Sequence, residues 1–331
     1  MTYLRILLTG VVLLAAACGC DDRLTSSEET SATETKNSIV VTSNYPLFFF
    51  ASRIAEGVDV APEIVFPDIE GDPAFWIPSA EQIQLLQSAD AVILNGAGAE
   101  SWLNLITINR RHLVDTSATI ADRLIPLEDS VQHQHGPEGE HTHQGTAFTT
   151  WLDPRLAIAQ AQSATNALIE LAPSGETGFR ENMAKLEQEL TQLDSRLAAV
   201  FAQLDGRPVL FSHPVYQYLQ RRFDINGRSV HWEPDQEPTT SDWIAMQQTL
   251  TSHPATIMIW EDGPMPLTAQ RLSDSGITPI PFHTVANKPD QGDYLSVMRD
   301  NAERLESLLA LTELTGPGKV QEEVNSEHAD N

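Results

Sequence analysis

Between Ser38 and Leu311 the chain alternates short apolar runs with longer amphipathic ones, and few folds accept that alternation. Ile39 to Ser43, Val58 to Phe66 and Ala91 to Leu94 are rich in Val, Ile and Leu and read as buried strands. Tyr45 to Gly57 reads as a helix, with Pro46 tolerated in its first turn. Ser79-Ala80-Glu81-Gln82 is a capping-box signal, followed by a helical apolar face at Ile83, Leu85, Leu86 and Ala89. Strand–helix–strand order predicts a parallel sheet covered by helices. The second half repeats the scheme. Strands are expected at Pro208 to Ser212, Ser229 to His231, Thr256 to Trp260 and Ile277 to Phe282. Helices are expected at Val215 to Phe223, Ser241 to Leu250, Thr268 to Ser275 and Tyr294 to Leu311.

Two helical stretches lie between the halves, Pro154 to Leu171 and Glu176 to Leu204. In the second, Leu186, Leu190, Leu193, Leu197 and Val200 recur at steps of three and four. Such a helix is roughly 40 Å long, enough to run the length of a domain. The expected fold class is α/β: two lobes, each with a mainly parallel sheet flanked by helices, joined by a long spine helix. The divisions are 1–17, a signal peptide; 18–37, a disordered tether; 38–175, the N-terminal lobe; 176–204, the linking helix; 205–313, the C-terminal lobe; and 314–331, a disordered tail.

The N-terminal segment reads as a processing signal. Ile6 to Ala17 is apolar but shorter than the roughly 20 residues a bilayer span needs. It ends in small residues before Cys18, which points to lipidation there, with Cys20 as the other possible position. The chain's two cysteines both lie here, so the body has no disulfide and no thiolate metal site. A metal would have to be held by nitrogen and oxygen. The formal charge of −26 disfavours nucleic acid as a partner and adsorption to anionic lipid.

Four of the ten histidines, His133, His135, His141 and His143, fall within eleven residues. Imidazole is a common ligand for zinc, copper and nickel. Gly136, Pro137 and Gly139 are expected to break helix or strand here, which makes the segment a mobile metal-capture loop. A fixed site belongs at the carboxyl ends of the parallel strands, where open α/β sheets bind ligands. His213, His231 and His283 each follow an apolar strand, and Glu261 follows Trp260. Three imidazoles and a carboxylate form a plausible zinc ligand set. His112 and His253 read as surface residues at helix ends, and His328 lies in the tail. The chain has no His-Glu-x-x-His, Gly-x-Ser-x-Gly, Walker A or Gly-x-Gly-x-x-Gly motif. A hydrolase assembled from scattered zinc ligands stays open as an alternative.

These residues resemble the zinc/manganese solute-binding proteins of bacterial ABC importers. The resemblance runs from about Ile39 to Leu311. It rests on Tyr45-Pro46-Leu47, Pro78-Ser79-Ala80-Glu81, Asn95-Gly96-Ala97-Gly98, Trp151-Leu152-Asp153-Pro154, Ser212-His213-Pro214, Glu237-Pro238 and Gly292 to Met298. It implies two α/β lobes joined by a long helix with a metal in the cleft. It also implies first-lobe histidines where this chain has Ala74 and Thr149, and a late aspartate where this chain has His283. Of the ligand positions it implies, His213 alone is matched.

The expectation is therefore a monomeric, extracytoplasmic, lipid-anchored binding protein, not an enzyme, that hands a divalent metal to an ABC importer permease. Zinc is favoured over manganese, which prefers more oxygen ligands. The alternative within the same fold is a protein that has lost the family metal site.

Overall fold

The structure, a computed structural model, describes residues 38–67, 69, 71–127, 131–134, 140–143, 145–233 and 236–314. The signal segment, Cys18, Cys20, the tether, His135, the residues after 314 and His328 lie outside the described residues.

The first sheet is built from β1 (Ile39–Thr42), β2 (Glu63–Val65), β3 (Ala91–Leu94) and β4 (Leu113–Asp115), in the order β2-β1-β3-β4, all parallel. β1 and β3 are central, which explains their near-continuous apolar sequence. β4 was not expected, because Leu113-Val114-Asp115 is too short to carry a pattern. The strand expected over Val58 to Phe66 shrinks to β2. The second sheet holds β7 (Val209–Phe211), β8 (Gly227–Ser229), β9 (Ile257–Trp260) and β10 (Thr278–Pro281), in the order β10-β9-β7-β8, again parallel. Counted within each lobe, both sheets have the order 2-1-3-4. Each changes winding direction between its first and third strand. That crevice is where such sheets take ligands.

The helices begin where side chains satisfy their first backbone N–H groups. Asn44 caps α1 (Tyr45–Ala55) by accepting from the Leu47 N–H at 3.0 Å. Ser79 and Gln82 form the expected capping box of α2 (Ala80–Ser88). Asp153 caps α3 (Pro154–Leu171), accepting from the Arg155 N–H at 2.9 Å. The long helix is α4 (Glu176–Ala202), about 40 Å at 1.5 Å per residue. Its stripe Leu186, Leu190, Leu193 and Leu197 is buried. After α5 (Gln217–Arg222), α6 (Thr240–Ser252) and α7 (Pro266–Asp274), the chain closes with α8 (Tyr294–Leu314).

α4 packs against α1, α3 and α8. One cluster of buried side chains runs from Val40 and Phe50 through the α4 leucines to Phe211, Ile259 and Tyr294. The two sheets thus share this core, and each also covers a smaller cluster of its own, around Val41 and Val92 in the first lobe and Leu210 and Met258 in the second. Among the described residues no helix is long and apolar enough to cross a membrane.

The histidine-rich segment departs from its expectation. Its backbone forms an antiparallel ribbon of β5 (Val131–Gln134) and β6 (Glu140–His143), with His133 opposite His141. Gly136, Pro137 and Gly139 lie outside the described residues.

Candidate metal centre

Each lobe builds its strand ends with the same device. In the first, the Asn95 N–H after β3 donates to the Ser43 hydroxyl after β1, at 3.0 Å. In the second, the Glu261 N–H after β9 donates to the Ser212 hydroxyl after β7, at 3.1 Å. Both serines are buried, and each pins together the two strands that flank a switch point.

The second switch point opens into a cavity of about 840 Å³ whose lining includes His213, Glu233, Glu261, Asp262, His283 and Thr284. The first lobe contributes Gly71, Asp72 and Pro73 to it. Three of the four expected ligands, His213, His283 and Glu261, therefore line one cavity. His213 is buried, with Nδ1 3.9 Å from Glu233 Oε1. His283 Nδ1 lies 2.8 Å from Asp262 Oδ1. The Thr284 hydroxyl donates to Glu261 Oε1 at 3.0 Å. Burial pushes the Glu261 carboxyl up to about 8, and the charges of Asp72, Asp262 and Glu233 push the same way against the Thr284 hydrogen bond. A cation bound beside it would reverse that balance.

The fourth expected ligand, His231, corrects the strand-end argument. It is exposed and absent from the cavity lining. β8 is an edge strand ending at Ser229, and the extended chain beyond it stays paired to β7 through the N–H groups of Val230 and Trp232. Side chains alternate in such a segment. Val230 and Trp232 are buried, which sends His231 outward. His253, expected at the surface, also differs. It is buried in the second lobe, with Nε2 3.0 Å from the Val209 carbonyl oxygen.

Ala74 and Thr149, where the resemblance implies histidines, are both buried. The Thr149 hydroxyl donates to the Val215 carbonyl of the other lobe. The Ala74 N–H donates to Asp72 Oδ1 at 2.9 Å. A small void of about 10 Å³ beside Ala74 is lined by Ser43, Asp72 and Glu100 among others. Among the described residues no three His, Cys, Asp or Glu side chains are grouped so that they could hold a metal ion as they stand.

Nothing in the local pattern marks Glu100 as a site residue. Its carboxylate accepts from the Ser43 hydroxyl at 2.6 Å and from the Asn95 and Gly96 N–H groups at 2.7 and 3.1 Å. Burial pushes this carboxyl up to about 7 against those three bonds. The turn around it needs glycine at position 96, where φ is +74° and a Cβ would collide with Asp115 and Ser117.

The lobes are tied across the cleft by the segment after β10. Trp151 Nε1 donates to the Thr284 carbonyl at 2.7 Å, and the Tyr45 N–H donates to the Ala286 carbonyl at 3.0 Å. Asn287 Nδ2 donates to the carbonyls of Ile69 and Gly71 at 2.6 and 2.9 Å.

Comparison with known proteins agrees with this architecture. The crystal structure of the Zn(II)-bound ZnuA-like domain of Streptococcus pneumoniae AdcA superposes with a TM-score of 0.66 at 19% identity, covering 82% of this chain and 98% of that one. By sequence, the zinc-binding lipoprotein AdcA of Streptococcus pneumoniae R6 is 24% identical over 289 residues, 84% of this chain. The match spans 56% of that relative's length. The high-affinity zinc uptake system protein ZnuA of Bacillus subtilis 168 is 23% identical over 307 residues, 90% of this chain and 94% of that protein. Residues 40–308 match the model of one family along nearly the whole folded body, and the chain belongs to that family, the periplasmic zinc-uptake complex component A (ZnuA) proteins.

Proposed function

We propose that this chain is an extracytoplasmic binding protein that takes up zinc in the cleft between its two sheets and passes it to an ABC importer permease. The observation that carries this reading is the meeting of His213, His283 and Glu261 in one cavity at a switch point. Nitrogen and carboxylate donors suit zinc. His213 and His283 are the principal ligands and Glu261 is the carboxylate ligand; His231 has no part in the cleft. Zinc is the cargo, not a catalytic cofactor, and the chain is not an enzyme. His133, His135, His141 and His143 supply a capture segment outside the cleft. Lipid on Cys18 holds a monomer at the membrane, and the resemblance to lipoproteins supports that anchor.

A second reading, a protein of this fold without the family metal site, is favoured by Ala74, Thr149 and the absence of a ready ligand cluster among the described residues. Titration calorimetry with zinc on untagged protein separates the two. The first reading expects one tight site, weakened by roughly a hundredfold or more in His213→Ala and less in His283→Ala, since even outer partners of a metal ligand are worth about 10–100-fold. Equal affinity in the wild type and both variants would place zinc elsewhere.

A further inference from the structure

The cleft is much larger than a bare ion needs. Its volume of about 840 Å³ falls in the range of roughly 300–1,000 Å³ that organic ligands occupy. Protein donors close on zinc at about 2 Å and leave no such space. The donor set is also short, because the first lobe offers a methyl group at Ala74 and a committed hydroxyl at Thr149. Part of the coordination must come from elsewhere.

The wall formed by α8 and the segment after β10 carries the cavity's lysine and arginine, together with Asp290 and Asp300. Lys288 and Arg304 line the same cavity as Asp72, Glu233, Glu261 and Asp262. Among the described residues neither cation has a carboxylate within ion-pair distance, although acids outnumber bases 46 to 20 along the chain. Arg304 Nη2 donates to Asn301 Oδ1 at 2.7 Å, while its Nε is buried with no hydrogen-bond partner. A buried guanidinium N–H without an acceptor is costly. Asn301 also holds the backbone of His283. An under-satisfied guanidinium thus stands one side chain away from a candidate zinc ligand.

We propose that the cleft takes zinc as a chelate with a small amino-acid-like molecule, with the metal on His213 and His283 and the chelator's carboxylate on Arg304, Lys288 beside it. This deepens the zinc-binding reading and rests on it. An α-amino carboxylate donates its amine nitrogen and one carboxylate oxygen to the metal. With two imidazoles, and with the chelator's carboxylate oxygen in the place Glu261 takes on zinc alone, that completes the four-coordinate shell zinc prefers. The second carboxylate oxygen is left to accept a charge-assisted hydrogen bond from the guanidinium. A zinc ion carrying one amino-acid anion is still a cation, so the acidic part of the cleft attracts it and would repel the anion alone.

Native mass spectrometry and calorimetry on the untagged full chain test this, with zinc alone, zinc with one equivalent of histidine, and histidine alone. The expected result is a ternary protein–zinc–histidine species, with zinc bound roughly ten- to hundredfold more tightly at matched free zinc when histidine is present. Arg304→Met should lose that gain and the ternary species while keeping its affinity for zinc alone. Lys288→Gln, at an exposed position that the fold does not need, should lose part of the gain. His213→Ala should lose the tight cleft binding of both forms and keep only the weaker zinc binding of the histidine-rich segment. Stoichiometric zinc binding with no ternary species, or a full gain retained in both cation variants, overturns the chelate and leaves zinc binding standing. No zinc bound in any form overturns the zinc reading itself, and the chelate with it.

Discussion

Asn301 grips the backbone of His283 from both sides: the His283 N–H donates to Asn301 Oδ1 at 3.0 Å, and Asn301 Nδ2 donates to the His283 carbonyl at 2.9 Å. Asn301 sits fully buried on α8, so the last helix sets the position of a side chain at the end of β10. Asn301→Ala removes both bonds and leaves two backbone groups short of partners. The expected cost is about 2–3 kcal/mol, read as a fall in Tm of roughly 4–12 °C. Zinc affinity should fall roughly 10–100-fold as His283 loses its support. A variant that melts normally and binds zinc normally would show that this grip positions nothing.

Glu100 gives the metal-free protein a pH dependence whose sign can be worked out. Its carboxyl sits near 7 in the folded chain against an ordinary 4.5, so the native state holds the proton more tightly than the unfolded state does. Between those values the unfolded chain binds fewer protons, and stability falls as pH rises from about 4.5 to 7 and then levels. Glu100→Gln cannot ionise. Comparing thermal melts of the variant and wild type at pH 5 and pH 8 should show a smaller Tm difference in the variant. The same difference in both proteins would place this carboxyl's titration elsewhere.

Thr149 ties the lobes through its hydroxyl to the Val215 carbonyl, two residues beyond His213. Thr149→Val keeps the shape and removes the donor. A loss of about 1–2 kcal/mol is expected, measured by urea denaturation with an unchanged slope. An unaltered midpoint would mean that solvent replaces the bond at no cost.

The ribbon of β5 and β6 pairs with neither sheet. Replacing residues 133–143 by a short Gly-Ser turn should leave the Tm of the metal-free protein within about 2 °C, since surface changes of this kind move stability by about 0.5 kcal/mol. The tightest zinc affinity should persist while total zinc stoichiometry drops. A large fall in Tm would show that the ribbon is part of the fold.

Short-range pattern determined much of this molecule. The apolar runs of β1, β3, β7 and β9, the Ser79 capping box and the leucine stripe of α4 each declare an element and its buried face within a few residues. The rule that ligands gather at strand ends selected His213, Glu261 and His283. What the sequence could not decide is which strand ends face a common cavity, because sheet order is set by contacts between residues far apart in the chain. His231 and His213 each follow a short segment expected to be a strand, β8 and β7. One leaves an edge strand on its outward face and the other leaves a central strand toward the switch point. Glu100 reads as an ordinary surface acid until the turn at Gly96 folds it under Ser43. His253 looks like a helix-end residue until the sheet supplies the Val209 carbonyl. Local periodicity encodes the face of an element, whereas burial and hydrogen-bond partners follow from which faces the packed chain brings together.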